Sequence, residues 1–209
     1  MNYRIPESPP RAGFLMLPPP PSSEVFLLAR LLGFYTIDLM HRSPIIRLLW
    51  CAFGAAAGIG LALLLSSPPA SPLFFASLGG SAVFLFGLTR APAAQPRALL
   101  GGHLGGALIG IACYQFFGDA LWVYILAQVL VLWYMLFTGT VHPPAGANPI
   151  IMIHGNCNIL ALWEPVLVGV LSLALVAAIW SRLYPGLSHY PVAWLDRSPP
   201  SLFWGGWDK

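Results

Sequence analysis

Charge is what this chain has least of. Lysine and arginine number 10, aspartate and glutamate 7, and only 8% of the 209 residues are charged, against roughly 25% in an ordinary soluble domain. A water-facing surface cannot be built from so few charges, which excludes a soluble globular fold. Carboxylates are missing from every long apolar run. Asp119 and Glu164 stand only at the ends of runs, so a buried acidic site for sodium or protons has no support. Cysteine is scarce too: Cys51, Cys113 and Cys157 are far apart, with no Cys-x-x-Cys pair, and read as small buried hydrophobes. No nucleophile, base and orienting acid are gathered together, so an enzyme is not expected. His103, His142 and His154 lack a recognised ligand spacing, and neither metal nor cofactor is expected. Nothing supports nucleic-acid binding. The start of the chain lacks the apolar core of a signal peptide and the Arg/Ser-rich character of a transit peptide, so the mature chain is expected to begin at Met1.

What the chain has instead is apolar surface in long runs. Hydrophobic residues make up 57% and the mean hydropathy is +0.74, in stretches approaching the roughly 20 residues that a membrane helix needs. The expected fold is all-α: a polytopic membrane helix bundle with the lipid bilayer as its surroundings. Residues 1–22 are rich in proline and should be extended. Residues 23–44 repeat apolar positions at helical spacing but carry Glu24, Arg30, Asp38 and His41, which suits an amphipathic helix lying on the membrane surface. A transmembrane domain then covers 45–185. Its segments fall near 48–67, 72–88, 98–117, 121–138, 145–153 and 165–184, and residues 186–209 form an aromatic-rich tail. The second and fifth segments are interrupted by Gly79-Gly80 and by the prolines around 143–149, and the fifth is too short to span as a regular helix.

The segments 72–88 and 145–153 either cross or re-enter on the side they left; with six crossings every basic residue falls on one side, and the positive-inside rule then places both termini in the cytoplasm. The expected membrane is the bacterial inner (plasma) membrane. The order span, break, span occurs twice, and a shift of about 66 residues lays Gly80-Ser81-Ala82 on Gly146-Ala147-Asn148. Three crossings per unit would make the two units inverted repeats, with a site at their interface. The alternative is that glycine-rich apolar segments resemble one another by composition alone. Gly102, Gly106 and Gly110 leave one face of the third segment nearly free of side chains, a face suited to helix contact and to a homo-oligomer.

The run Thr140-Val-His-Pro-Pro-Ala-Gly-Ala-Asn-Pro-Ile-Ile151 says most about function. Irregular backbone survives at membrane depth only when buried in protein or lining a polar cavity. Together with Gly79-Gly80-Ser81-Ala82-Val83, Ala94-Gln95-Pro96-Arg97, Gly101-Gly102-His103 and Tyr190-Pro191-Val192-Ala193-Trp194, it resembles the HPP family of integral membrane proteins, named for its His-Pro-Pro. The resemblance covers roughly residues 45–195. Some plant and cyanobacterial members of that family are implicated in nitrite transport, so the resemblance implies a transporter or channel with nitrite first among substrates; the alternatives are a histidine-based, metal-dependent membrane enzyme and a non-transporting membrane assembly factor. The residues themselves reach only a small polar or anionic solute.

The candidate site follows from where donors meet small neighbours. Past Pro143 and Pro144, the N–H groups of Ala145, Gly146 and Ala147 at the start of a short helix, with the amide of Asn148, form an arrangement suited to a small inorganic anion. Gly79, Gly80 and Ser81 could supply a matching set. His103 and His142 are ionisable groups inside the membrane domain and candidates by default; the bland reading of His103 is a bond to a neighbouring carbonyl, and that of the signature is a kink. Arg97 is either a charge at the mouth of the pathway, holding the Gln95-Pro96 turn, or simply a positive-inside arginine. Gln128 is expected to bridge helices.

Overall fold

The computed structural model describes residues 43–66 and 72–201. The proline-rich stretch 1–22 and all but the last two residues of the surface helix expected over 23–44 lie outside the described residues. Four helices are long and apolar enough to cross a membrane. They are α1 (Pro44–Leu65), α3 (Pro96–Phe117), α4 (Leu121–Thr138) and a last run over Ile159–Leu183 that contains α6 (Val168–Leu183). Between them lie two short broken segments. The first joins a 3-10 turn at Pro72–Phe75, α2 (Ala76–Ala82) and a wide turn at Val83–Gly87; the second joins a 3-10 turn at Pro143–Ala147 to α5 (Asn148–His154). Among the described residues the only β-type pairing is an isolated parallel bridge between Thr140 and Ser198.

Local chemistry sets the breaks. Pro143 and Pro144 have no N–H to give to a preceding turn, and proline forces its predecessor out of the helical region; His142 is accordingly extended at φ −130°. Helix α4 stops at Gly139, left-handed at φ +63°, the usual glycine stop. Helix α6 starts a few residues later than its apolar run, because Glu164 ahead of Pro165 is extended (φ −122°, ψ 128°).

Small residues set how closely the pieces approach. Gly54, Gly58 and Ala62 are buried at four-residue spacing along α1 and face α6 and the end of the first broken segment. A Cβ on Gly54 would stand 2.7 Å from Phe86 and Trp180, and one on Gly58 would stand 2.9 Å from Leu173. Trp180 Nε1 donates to Trp50 O, and the two indoles stack at 4.5 Å. The end of α6 therefore meets the start of α1, and the two helices run antiparallel. The first broken segment lies along α6, from Leu78 beside Gly169 at one end to Phe86, which flanks Gly54 together with Trp180, at the other.

The second broken segment lies along α3 in the same way. Thr140 packs on Gly101, Ala145 O on Gly106, Pro149 on Gly110, and Cys157 O accepts from Gln115 Nε2. The α3 glycines, a face suited to helix contact and to a homo-oligomer, are taken up by contacts inside the chain. Outward faces are apolar: Leu48, Phe53, Leu64, Leu121, Ile125 and Phe137 are all exposed. Apolar surface of that extent belongs against lipid.

Residues 186–201 are not a free tail. Tyr190 is buried in the main core beside Leu99 and Ala177, and its N–H bonds Ser181 Oγ. Its hydroxyl has no partner among the described residues, and burial pushes its pKa upward. Ser198 closes the strap on the signature: its N–H donates to Gly139 O, its hydroxyl donates to Val141 O, and its carbonyl accepts from Val141 N–H.

Candidate functional site

Four of the polar residues singled out in the sequence meet at one buried point, where the two broken segments touch. Ser81 comes from α2, His103 from the second turn of α3, His142 from the extended residue before the prolines, and Asn148 from the start of α5. None is more than 1% exposed. Ser81 Oγ lies 2.8 Å from His103 Nε2 and 2.8 Å from His142 Nε2, and 3.0 Å from Ser77 O. His142 Nδ1 is 2.6 Å from Ala93 O, in the turn ahead of α3. Asn148 Nδ2 is 2.9 Å from His103 O and 3.1 Å from His103 Nδ1. The imidazoles lie 5.2 Å apart, and the Phe84 ring sits edge-on to His142.

The carbonyls fix the protons. Ala93 O can only accept, so His142 Nδ1 carries a hydrogen. The Asn148 amide donates to His103 O, so its second hydrogen points at His103 Nδ1, which accepts; in a neutral imidazole the hydrogen then sits on His103 Nε2. His103 Nε2–H donates to Ser81 Oγ. The single Ser81 hydroxyl hydrogen has two acceptors in reach, His142 Nε2 and Ser77 O. Each such bond contributes about 1 kcal/mol net, but leaving a buried partner unmatched costs roughly 1–3 kcal/mol.

Close packing delivers these groups. Gly102 admits His142, whose Cβ would stand 3.0 Å from a Cβ added there, and Gly80 receives Pro144, whose Cβ would stand 2.9 Å from its own. Gly80 is therefore the small residue that lets α2 lie on the His-Pro-Pro turn. Gln128 Nε2 donates to Gly146 O, bridging α4 to the signature as expected.

Other expected site residues stand elsewhere. Ala145 N–H is bonded to His142 O and its side chain is buried against Val131 and Met135, so this donor is not free to hold an anion. Ala147 packs on the Ile111–Met152 cluster. Gly79 lies off the cluster and lines, with Cys51, Ala55, Ile59 and Phe86, an apolar groove of about 500 Å³ between α1 and α2. Arg97 is not at an open mouth: its guanidinium donates to Thr138 O and Leu195 O, tying α4 and the strap to the start of α3.

Sequence reasoning overlooked Gln95, which is 2% exposed. Its amide donates to Thr89 O and Ala91 O, and its carbonyl accepts from the N–H groups of Val192 and Ala193. That fills all four positions the side chain offers and latches the strap beside the Ala93 carbonyl. An uncharged amide between an Ala-Ala pair and a proline was the available signal.

Apolar outward faces and a polar cluster sealed between broken segments define a polytopic α-helical membrane protein. Within that class the chain belongs to the HPP transmembrane family, whose profile matches residues 40–191. Two transmembrane proteins of Dictyostelium discoideum are similar to it, at 31% and 32% identity over 56% of this chain. The matches cover 44% and 40% of those proteins, so this chain spans less than half the length of these relatives. No solved structure matches.

Proposed function

We propose that the protein is a transporter or channel for a small inorganic anion, with nitrite the first substrate to test, and not an enzyme. The observation that carries this reading is the Ser81–His103–His142 cluster. Ionisable groups buried inside a membrane domain are expensive to keep and mark solute or proton routes, and this one sits where two interrupted segments meet, the usual place for a transporter site. No carboxylate among the described residues stands at the cluster, so no fixed negative charge there opposes a negative solute. Nitrite itself enters through the family resemblance alone.

The same reading takes both broken segments as crossings, giving six in two opposed units with both termini cytoplasmic in the inner (plasma) membrane of a bacterium. Three observations support it. Each broken segment runs the length of a full helix, α6 for the first and α3 for the second. Helix α1 pairs with α6 as α4 pairs with α3, the exchange expected of two inverted halves. Arg47, Arg90, Arg97, Arg182 and Arg197, the arginines among the described residues, gather at the end marked by Trp50, Thr138 and Trp180, as the positive-inside rule requires of a cytoplasmic face.

Purified protein in liposomes is expected to carry nitrite faster than protein-free vesicles, and to discriminate among nitrite, nitrate, formate and chloride. Indifference to all four would remove the anion assignment.

A further inference from the structure

We propose that the Ser81–His103–His142 cluster is a proton-binding site that loads together with the anion, making the protein a proton–anion symporter. The inference rests on the transport reading above and specifies how that site works.

The hydrogen-bond count motivates it. In the neutral cluster Ser81 donates to His142 Nε2, and Ser77 O goes without the hydroxyl. Let a proton from solvent add to the lone pair of His142 Nε2. The new Nε2–H now donates to Ser81 Oγ, 2.8 Å away, while Nδ1–H keeps Ala93 O. Ser81 turns its own hydrogen to Ser77 O at 3.0 Å and still accepts from His103 Nε2–H at 2.8 Å. One hydroxyl hydrogen and two lone pairs are then all used. The proton comes from a hydronium ion, whose O–H bond breaks as the N–H forms, and no other covalent bond changes. The charged state is thus as completely hydrogen-bonded as the neutral one.

That missing acid is the second half of the inference. The cluster is faced by Ser77 and Ser81 on α2, by Phe84 after it, by His103 on α3, by Asn148 on α5 and by the Ala93 turn. Farther out, the Tyr134 hydroxyl on α4 is committed to Gly101 O and the Arg97 guanidinium to Thr138 O and Leu195 O. Among the described residues the carboxylates are Asp119, Glu164 and Asp196, all at helix ends or in the strap. Among the described residues an imidazolium in this place has hydrogen-bond partners but no counter-charge, and at low dielectric an unpaired charge is strongly disfavoured. A small anion supplies it. Proton and anion then stabilise each other's binding, and such coupling is reciprocal.

The test is nitrite uptake by wild-type proteoliposomes, with the rate in protein-free vesicles subtracted to remove leak of undissociated nitrous acid. One arm imposes an acid-outside pH gradient with the potential clamped to zero by valinomycin and potassium. The other imposes a potential at equal pH. The symporter is expected to accelerate in the first arm, roughly tenfold per pH unit if proton loading limits the rate, and to ignore the second. Flux that follows the potential and ignores the pH gradient overturns the symport while leaving anion transport standing. No protein-dependent flux in either arm overturns the transport reading itself. His142→Gln keeps hydrogen-bonding capacity but cannot carry the charge, and is expected to lose the pH-gradient response; a full response in that variant also overturns the proposal.

Discussion

Gly110→Ala is expected to destabilise the protein by about 1–3 kcal/mol, enough to lower its unfolding temperature in detergent by several degrees and to cut its yield. The added Cβ would lie 2.6 Å from Pro149 Cα and 2.8 Å from Pro149 O. Both are backbone atoms of a segment already fixed by two prolines ahead of it, so nothing nearby can swing aside. Relief requires α5 to move off α3, which drags Asn148 away from His103. Gly79→Ala is the matched control: nothing lies within 4 Å of the Cβ it would gain, and its unfolding temperature is expected to stay at the wild-type value or rise slightly through better helix propensity. Equal melting of the two variants would show that α5 does not lie on α3.

Ser81→Ala has the largest expected functional effect. The substitution removes one oxygen from a buried position without adding volume, so the helix is undisturbed. It leaves His103 Nε2–H and His142 Nε2 without their common partner, with an expected stability loss of roughly 1–3 kcal/mol. Nitrite flux at matched protein amount is expected to fall at least tenfold, a barrier change of about 1.4 kcal/mol or more. A protein that only needed Ser81 as a pin between segments would show the stability loss and keep its flux, and that outcome would return the cluster to a structural role. Asn148→Asp is a poorer probe. Asn148 Nδ2 donates to His103 O and faces His103 Nδ1, so an aspartate would set an acceptor against an acceptor whatever the solute.

The apolar segments were readable because hydropathy is a local signal. The segment expected over 121–138 is α4 itself, and those expected over 48–67, 72–88 and 98–117 shift by only a few residues. The irregular backbone at 143–147 followed from proline chemistry. Histidine 103 and 142, Ser81 and Asn148 could be named one by one as polar groups in apolar runs, yet their meeting could not. It joins residues 22, 61 and 45 apart in sequence, and no periodicity encodes which buried donor finds which acceptor. The Ala145 amide was misjudged because a 3-10 turn closes back on His142 O, one residue sooner than an α-helix would. Arg97 stayed open between a mouth charge and a positive-inside arginine because side-chain type alone does not show that two carbonyls have claimed it. The strap over 186–201 escaped for the same reason: its anchors, Gln95 and Ser181, are distant in sequence or hidden in a helix.

The two broken segments meet where Pro144 packs on Gly80 and His142 bonds Ser81, and a transporter site at such a junction has to open for its solute to pass. Cysteines at Gly80 and Pro144, in a chain with Cys51, Cys113 and Cys157 replaced, test it most directly. The Cβ separation expected from the packing is 2.9 Å, so the bridge needs the backbones to part by about 1 Å to reach ordinary disulfide geometry. Oxidation is expected to link the pair in reconstituted protein, nitrite flux to stop when the link forms, and a reductant to restore it. A folded protein in which the pair never links, or one that carries nitrite equally well linked and reduced, would contradict that expectation.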